Sequence, residues 1–151
     1  MFTRTIDFNI SLYPLANGVS IGGAENEKGY GGFCLRLRLP QDINFNSAGI
    51  NVEPQENAVK AGNWMNFTGS FAGSNKPRSG LVAIAQAESG SDGRPWILRK
   101  QTSMQNIVDP GQSPVMVTDS GWHGKYRLVI HDGTLNTDRI NRLAQAFDKT
   151  K

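Results

Sequence analysis

The chain has 151 residues, 38% of them hydrophobic and 19% charged, which fits one folded domain and excludes a chain disordered throughout. Its formal net charge is +3, and the sixteen Lys and Arg residues run from Arg4 to Lys151 without a block of like charge, so a nucleic-acid-binding stripe is not expected. One cysteine, Cys34, excludes an internal disulfide, and no apolar run approaches the roughly 18 residues of a membrane helix.

The first residues, Met-Phe-Thr-Arg-Thr-Ile-Asp-Phe, lack the apolar stretch of a secretory signal, so a cytoplasmic, soluble protein is expected. Thr3–Tyr13 then alternates: Ile6, Phe8, Ile10 and Leu12 point one way and Asp7, Asn9 and Ser11 the other, the period of a half-buried strand. Pro14 and Asn17-Gly18 end it in a turn, and Val19–Ile21 reads as a short strand.

Gly22–Gly32 is a glycine-rich loop carrying Glu25, Glu27, Lys28 and Tyr30. It feeds a strand in which Phe33, Leu35, Leu37 and Leu39 alternate with Cys34, Arg36 and Arg38, stopped by Pro40. Ala48–Glu53 is a weaker strand and Trp64–Phe71 a stronger one, with Met65, Phe67 and Phe71 opposite Trp64, Asn66 and Thr68. Leu81–Ala85 is short and apolar, like a buried central strand. Loops are expected at 72–80 and 88–95, and strands at Trp96–Lys100, Met104–Val108 and Val115–Val117.

Gly124–His131 places Tyr126, Leu128 and Ile130 on one face and Lys125, Arg127, Val129 and His131 on the other, before an Asp132-Gly133 turn. The period then changes. Ile140, Leu143, Ala144 and Phe147 fall at helical spacing, with Asn136 or Thr137 as cap and Asp138 in the first turn, so a helix is predicted at about 137–148. The expected architecture is all-β: one antiparallel sandwich domain of roughly eight to ten strands with a single C-terminal helix.

No nucleotide-binding signature is present, because the position that needs a third glycine after Gly29 and Gly31 is Cys34. His123 and His131 are too far apart for a one-turn metal motif, and no nucleophile-elbow sequence occurs, so no metal and no cofactor is expected. Two patterns carry functional readings. The glycine loop is either a tight entry into a strand or a cover over a ligand pocket. The strand faces bearing Arg36, Arg38, Arg127 and His131 are either solvated or, if their strands share a sheet, one basic binding face. Trp64, Asn66 and Trp96 would add aromatic and polar contacts of the kind that a sugar or organic acid uses.

Six blocks in order carry a family resemblance: Glu-Asn-Glu-Lys-Gly-Tyr-Gly-Gly-Phe (25–33), Val-Glu-Pro-Gln (52–55), Trp-Met-Asn-Phe-Thr-Gly (64–69), Pro-Trp-Ile-Leu-Arg (95–99), Ser-Met-Gln-Asn (103–106) and Tyr-Arg-Leu-Val-Ile-His-Asp-Gly (126–133). Together they resemble the bacterial family labelled "methane oxygenase PmoA-like", of largely unknown function, over nearly the whole chain. The resemblance implies a C-terminal half of longer family members and half of a supersandwich similar to galactose mutarotases. It also implies an association with carbohydrate metabolism.

A sugar or sugar acid bound on the polar sheet face is therefore the leading expectation. Glu25 or Glu27 would serve as acid or base, Lys28, Tyr30, Arg36, Arg38, Arg127 and His131 as binding groups, and Trp64 as a stacking ring. A structural module pairing through a sheet edge, with another copy or a partner chain, is the alternative. A metal-dependent oxygenase, as the family label suggests, comes third.

Overall fold

The computed structural model describes residues 2–24, 30–87, 93–111 and 113–150. Glu25, Glu27 and Lys28 lie outside the described residues. Among those described, twelve strands precede one helix: β1 (Thr3–Leu12), β2 (Ser20–Ile21), β3 (Phe33–Arg36), β4 (Asn44–Ser47), β5 (Ile50–Asn51), β6 (Val59–Ala61), β7 (Trp64–Gly69), β8 (Ser79–Ala85), β9 (Arg94–Ile97), β10 (Met104–Ile107), β11 (Val115–Met116), β12 (Trp122–Asp132) and α1 (Thr137–Asp148).

The strongly alternating segments β1 and β12 form the longest antiparallel pair, in register from Thr3 opposite His131 to Leu12 opposite Trp122. They belong to a six-stranded sheet of order β1-β12-β8-β7-β4-β5. A second sheet, β3-β10-β9-β6, packs against it, and β11-β2 forms a small two-stranded sheet. Every pairing is antiparallel, so the fold is an all-β sandwich with one helix.

The alternation explains the core. Phe45, Met65, Phe67, Leu81, Ala83 and Tyr126 point from the large sheet onto Leu35, Trp96, Leu98 and Ile107 of the smaller sheet's strands and their extensions. Burial of this apolar surface is the main stabilising term. Phe33 stacks on Tyr126 with ring centroids 4.4 Å apart, fixing the two layers at that point.

The opposite face of the large sheet is not left to solvent. Trp64, Val82, Ile84 and Val129 form a second buried cluster with Leu135, Ile140, Ala144 and Phe147. The helix begins as its sequence predicts: the Asn136 side chain accepts from the Arg139 N–H at 2.9 Å, and Ile140, Ala144 and Phe147 are its buried stripe. The six-stranded sheet is thus a middle layer, between the smaller sheet and α1.

Several boundaries differ from the sequence reading. β7 ends at Gly69, and Phe71 lies beyond it, partly exposed. β9 starts at Arg94 rather than Trp96. β4 and β6 are four and three residues long, too short for a period to stand out in the sequence, and neighbouring strands supply their pairing.

Candidate functional site

The basic sheet face expected from the strand periods does not form. Arg36 lies on β3 in the smaller sheet, Arg38 beyond the end of that strand, and Arg127 and His131 on β12 in the large sheet. Their strands do not share a sheet. The β12 side is also covered by α1, because Val82, Ile84 and Val129 on that face are apolar and bury the helix stripe.

Each group on the covered face has a structural partner. Trp64 is 5% exposed, and its indole N–H donates to the Asn141 side-chain oxygen of α1 at 2.9 Å, so it offers no open ring face. Arg127 makes two bonds to the Asp7 carboxylate, 2.6 and 2.8 Å, and its guanidinium lies 4.6 Å from the Phe147 ring centroid. Those bonds hold the Asp7 carboxyl below the usual carboxylate range and raise Arg127.

His131 is 1% exposed. Its Nδ1 lies 3.1 Å from the Gly133 carbonyl, which only accepts, so Nδ1 carries a proton. Nε2 lies 3.1 Å from the Asn66 side-chain oxygen; with the single proton of the neutral ring on Nδ1, Nε2 accepts only when the Asn66 amide is turned to present its NH2. Burial pushes the imidazole below its ordinary value, against a smaller upward pull from the Gly133 carbonyl.

Tyr30 is a brace on the smaller sheet: its hydroxyl sits 3.2 Å from Arg99 Nη2, and Arg99 also donates to the carbonyls of Gln55 and Glu56 at 2.9 Å. Arg36 is exposed, and Arg38 lines a shallow depression of about 490 Å³ with Pro40, Ser70 and Phe71, away from the other groups. Among the described residues, no three His, Cys, Asp or Glu side chains come together as metal ligands.

The residues that do converge lie at one mouth of the sandwich. Two adjoining lobes, of about 210 and 340 Å³, share Asp109, Pro110 and Trp122. The first is mostly apolar, with Ile10, Phe33 and Tyr126 in its wall. The second is more polar, with Gln86 and Arg94 among its lining residues.

The strand period builds the floor. Trp122, Gly124 and Tyr126 are alternate residues of β12 and face the same side. Gly124 leaves a gap between two aromatics: a Cβ there would lie 2.5 Å from Trp122 Cη2 and 2.8 Å from the Tyr126 hydroxyl. On the other wall, the Ile107–Asp109 backbone passes against Gly32, which holds φ +89° and has no room for a side chain. The glycine-loop arms therefore seat the Asp109 segment; the Asn106 side chain reaches the Gly31 carbonyl, and the Gly23 N–H donates to the Gly111 carbonyl at 2.7 Å. Asp109-Pro110 is a cis peptide.

Asp109 is the polar centre. Its Oδ2 accepts from the Tyr126 hydroxyl at 2.7 Å and pairs with Arg94 at 3.1 Å. Arg94 also donates to the Gln86 carbonyl at 2.8 Å. The Arg94 and Asp109 side chains are 9% and 11% exposed, so the carboxylate is fixed, charged and near the surface rather than fully interred. An aromatic wall beside an oriented carboxylate is a binding arrangement for a small ligand with hydroxyl groups.

The sequence reading does not single out Asp109, Arg94, Trp122 or Gly124, and places Tyr126 only on the strand face it shares with Leu128 and Ile130. The Trp122-x-Gly124-x-Tyr126 spacing held the one usable signal: two rings and a gap on one strand face.

A family model described as "Family of unknown function (DUF6807)" matches residues 2–145. No curated protein and no solved structure matches the chain.

Proposed function

The chain belongs to the DUF6807 family of unknown function, and we propose that it binds a sugar or sugar acid in the cleft around Asp109 and Trp122. One observation carries this reading: an aromatic wall and a braced carboxylate share the same opening. Sugar rings present apolar C–H faces and hydroxyls that both donate and accept. Trp122 suits the face, and the second carboxylate oxygen of Asp109 suits a hydroxyl donor. The resemblance to the PmoA-like family, with its carbohydrate association, points the same way.

Ligand-observed NMR against monosaccharides, uronic acids and small disaccharides tests the reading. Saturation transfer to a sugar class, lost in Asp109→Asn and Trp122→Ala, supports it. Silence across the panel from folded protein sinks it.

A second reading rests on β1. It is ten residues long, pairs among the described strands only with β12, and exposes Phe2, Ile6 and Leu12 at or beside that edge of the large sheet. Such an edge suits pairing with another copy. A sedimentation profile that stays monomeric to high concentration counts against it.

A further inference from the structure

We infer that two copies of the chain pair along β1 about a two-fold axis at Phe8, so that Arg4 of each copy stands at the rim of the other's cleft. This rests on the edge-pairing reading above and adds the register and its consequence for the site.

The backbone fixes which groups the edge offers. In an antiparallel ladder a strand bonds to a given neighbour at every second residue. The Asp132 N–H donates to the Phe2 carbonyl at 3.1 Å, one step beyond the Thr3–His131 pair. On the other side of β12, the Gln86 N–H donates to the Lys125 carbonyl at 3.0 Å, one step beyond the Tyr126–Ala85 pair. Even-numbered residues of β12 therefore bond to β1 and odd-numbered ones to β8. Opposed residues of β1 and β12 are both even or both odd. The N–H and C=O groups of Thr3, Thr5, Asp7, Asn9 and Ser11 thus point away from β12, and no other described strand takes them up.

Nothing in β1 guards that edge. The strand has no Pro and no Lys, and its pairing with β12 runs from end to end without a bulge. The helix packs on Val82, Ile84 and Val129 and takes no β1 residue into its cluster.

A second copy fits because the strand complements itself. For the outward groups to bond, odd residues must oppose odd ones, so the two-fold axis falls on a residue rather than between two. An axis at Asp7 sets two carboxylates opposite each other. An axis at Ile6 or Asn9 leaves more of one end unpaired. At Phe8 the overlap runs from Arg4 to Leu12 and supplies about eight backbone hydrogen bonds. Asp7 then opposes Asn9, Ile6 opposes Ile10, and Arg4 opposes Leu12. Leu12 lines the apolar lobe, and Arg4 is exposed on that same face of the sheet, so the register carries Arg4 of the second copy to the lobe's rim.

Sedimentation velocity of the intact chain reads the association. The wild type is dimeric at about 100 µM, and Asn9→Pro and Ile6→Lys each weaken the dimer at least about tenfold. Asn9→Pro removes only an outward donor, which an edge strand tolerates. Ile6 is 39% exposed, so a lysine there charges the seam without entering the core. Oxidation in a Cys34→Ser background then locates the axis. Phe8→Cys gives a disulfide-linked dimer, since opposed Cα atoms lie about 4.5 Å apart in a non-hydrogen-bonded pair, and Asp7→Cys or Asn9→Cys alone does not. Phe8 also packs on the core, so circular dichroism checks that variant. Arg4→Cys chains mixed with Leu12→Cys chains, both at exposed positions, answer the same question through a mixed disulfide. A monomer at every concentration leaves the edge to a different partner and overturns both the inference and the edge-pairing reading. A dimer indifferent to Asn9→Pro, or one linked through Asp7→Cys or Asn9→Cys instead, overturns the inference while pairing of copies stands. None of these readouts uses a sugar, so the sugar-binding reading is judged separately.

Discussion

The Tyr126 hydroxyl, on β12 of the large sheet, donates to the Asp109 carboxylate, just past the end of β10 of the smaller sheet, at 2.7 Å. This bond joins the two layers at their open mouth, and it orients the one carboxylate that the cleft shares between its apolar and polar lobes. Tyr126 serves packing and site at once: its ring stacks on Phe33 while its hydroxyl sets Asp109. Tyr126→Phe is expected to leave the fold intact at a cost of about 1 kcal/mol in chemical denaturation, since the stack is kept and one bond to a charged group is lost. Sugar affinity should fall more than that stability loss implies.

Gly124→Ala separates cleft from core. The added methyl enters the gap between Trp122 and the Tyr126 hydroxyl. Ligand binding is expected to drop sharply, with the urea midpoint little changed because the Trp122 ring sits at the surface and can move. An unaltered affinity in a folded Gly124→Ala protein would place the ligand elsewhere.

The helix is predicted to be integral to the fold. Phe147 is buried against the large sheet and lies under the Arg127 guanidinium. Phe147→Ala should cost about 3–5 kcal/mol in equilibrium unfolding. Asn141→Leu, which removes the partner of the buried Trp64 N–H, should cost about 1–3 kcal/mol.

Stability should respond to pH through His131. Its folded-state value is pushed below the ordinary 6.5 by burial, so the folded chain favours the neutral ring. The unfolded chain then binds the proton more readily. The contribution is complete above about pH 6.5 and is lost progressively as pH falls below it. Asp7 acts in a separate window: its carboxyl is held below 3.8 by the bonds from Arg127, so that contribution is present above 3.8 and lost in more acid solution. Urea midpoints between pH 5 and 7.5 check the first claim. The wild-type slope should flatten in a folded His131→Gln variant, and an unchanged slope would assign the titration to another group.

The sandwich, its long strands and its helix were legible because they depend on local period. β1, β12 and α1 carry alternation or helical spacing strong enough to set which residues face inward. The site was not legible for a different reason. A period of two says that Arg127 and His131 share a face, but not what lies on it. Val82, Ile84 and Val129 decided that by attracting α1, and Trp64 went beneath the helix with them. Arg36 and Arg127 fell on different sheets because strand order, which no single strand encodes, put β3 beside β10. Asp109 sits in the irregular segment after β10, with no periodicity at all. Only its tertiary partners, Arg94 and Tyr126, give it a role.

The central claim, that ligand enters beside Trp122, is tested most directly by following the three tryptophan indole N–H signals during a titration with galacturonate. Trp64 donates to Asn141 and Trp96 to the Gly62 carbonyl, both away from the cleft, whereas Trp122 lines it. The prediction is that the Trp122 signal shifts with saturating ligand and the other two hold still. Movement of the Trp64 signal alone, or of none while binding is seen by another probe, would contradict the site.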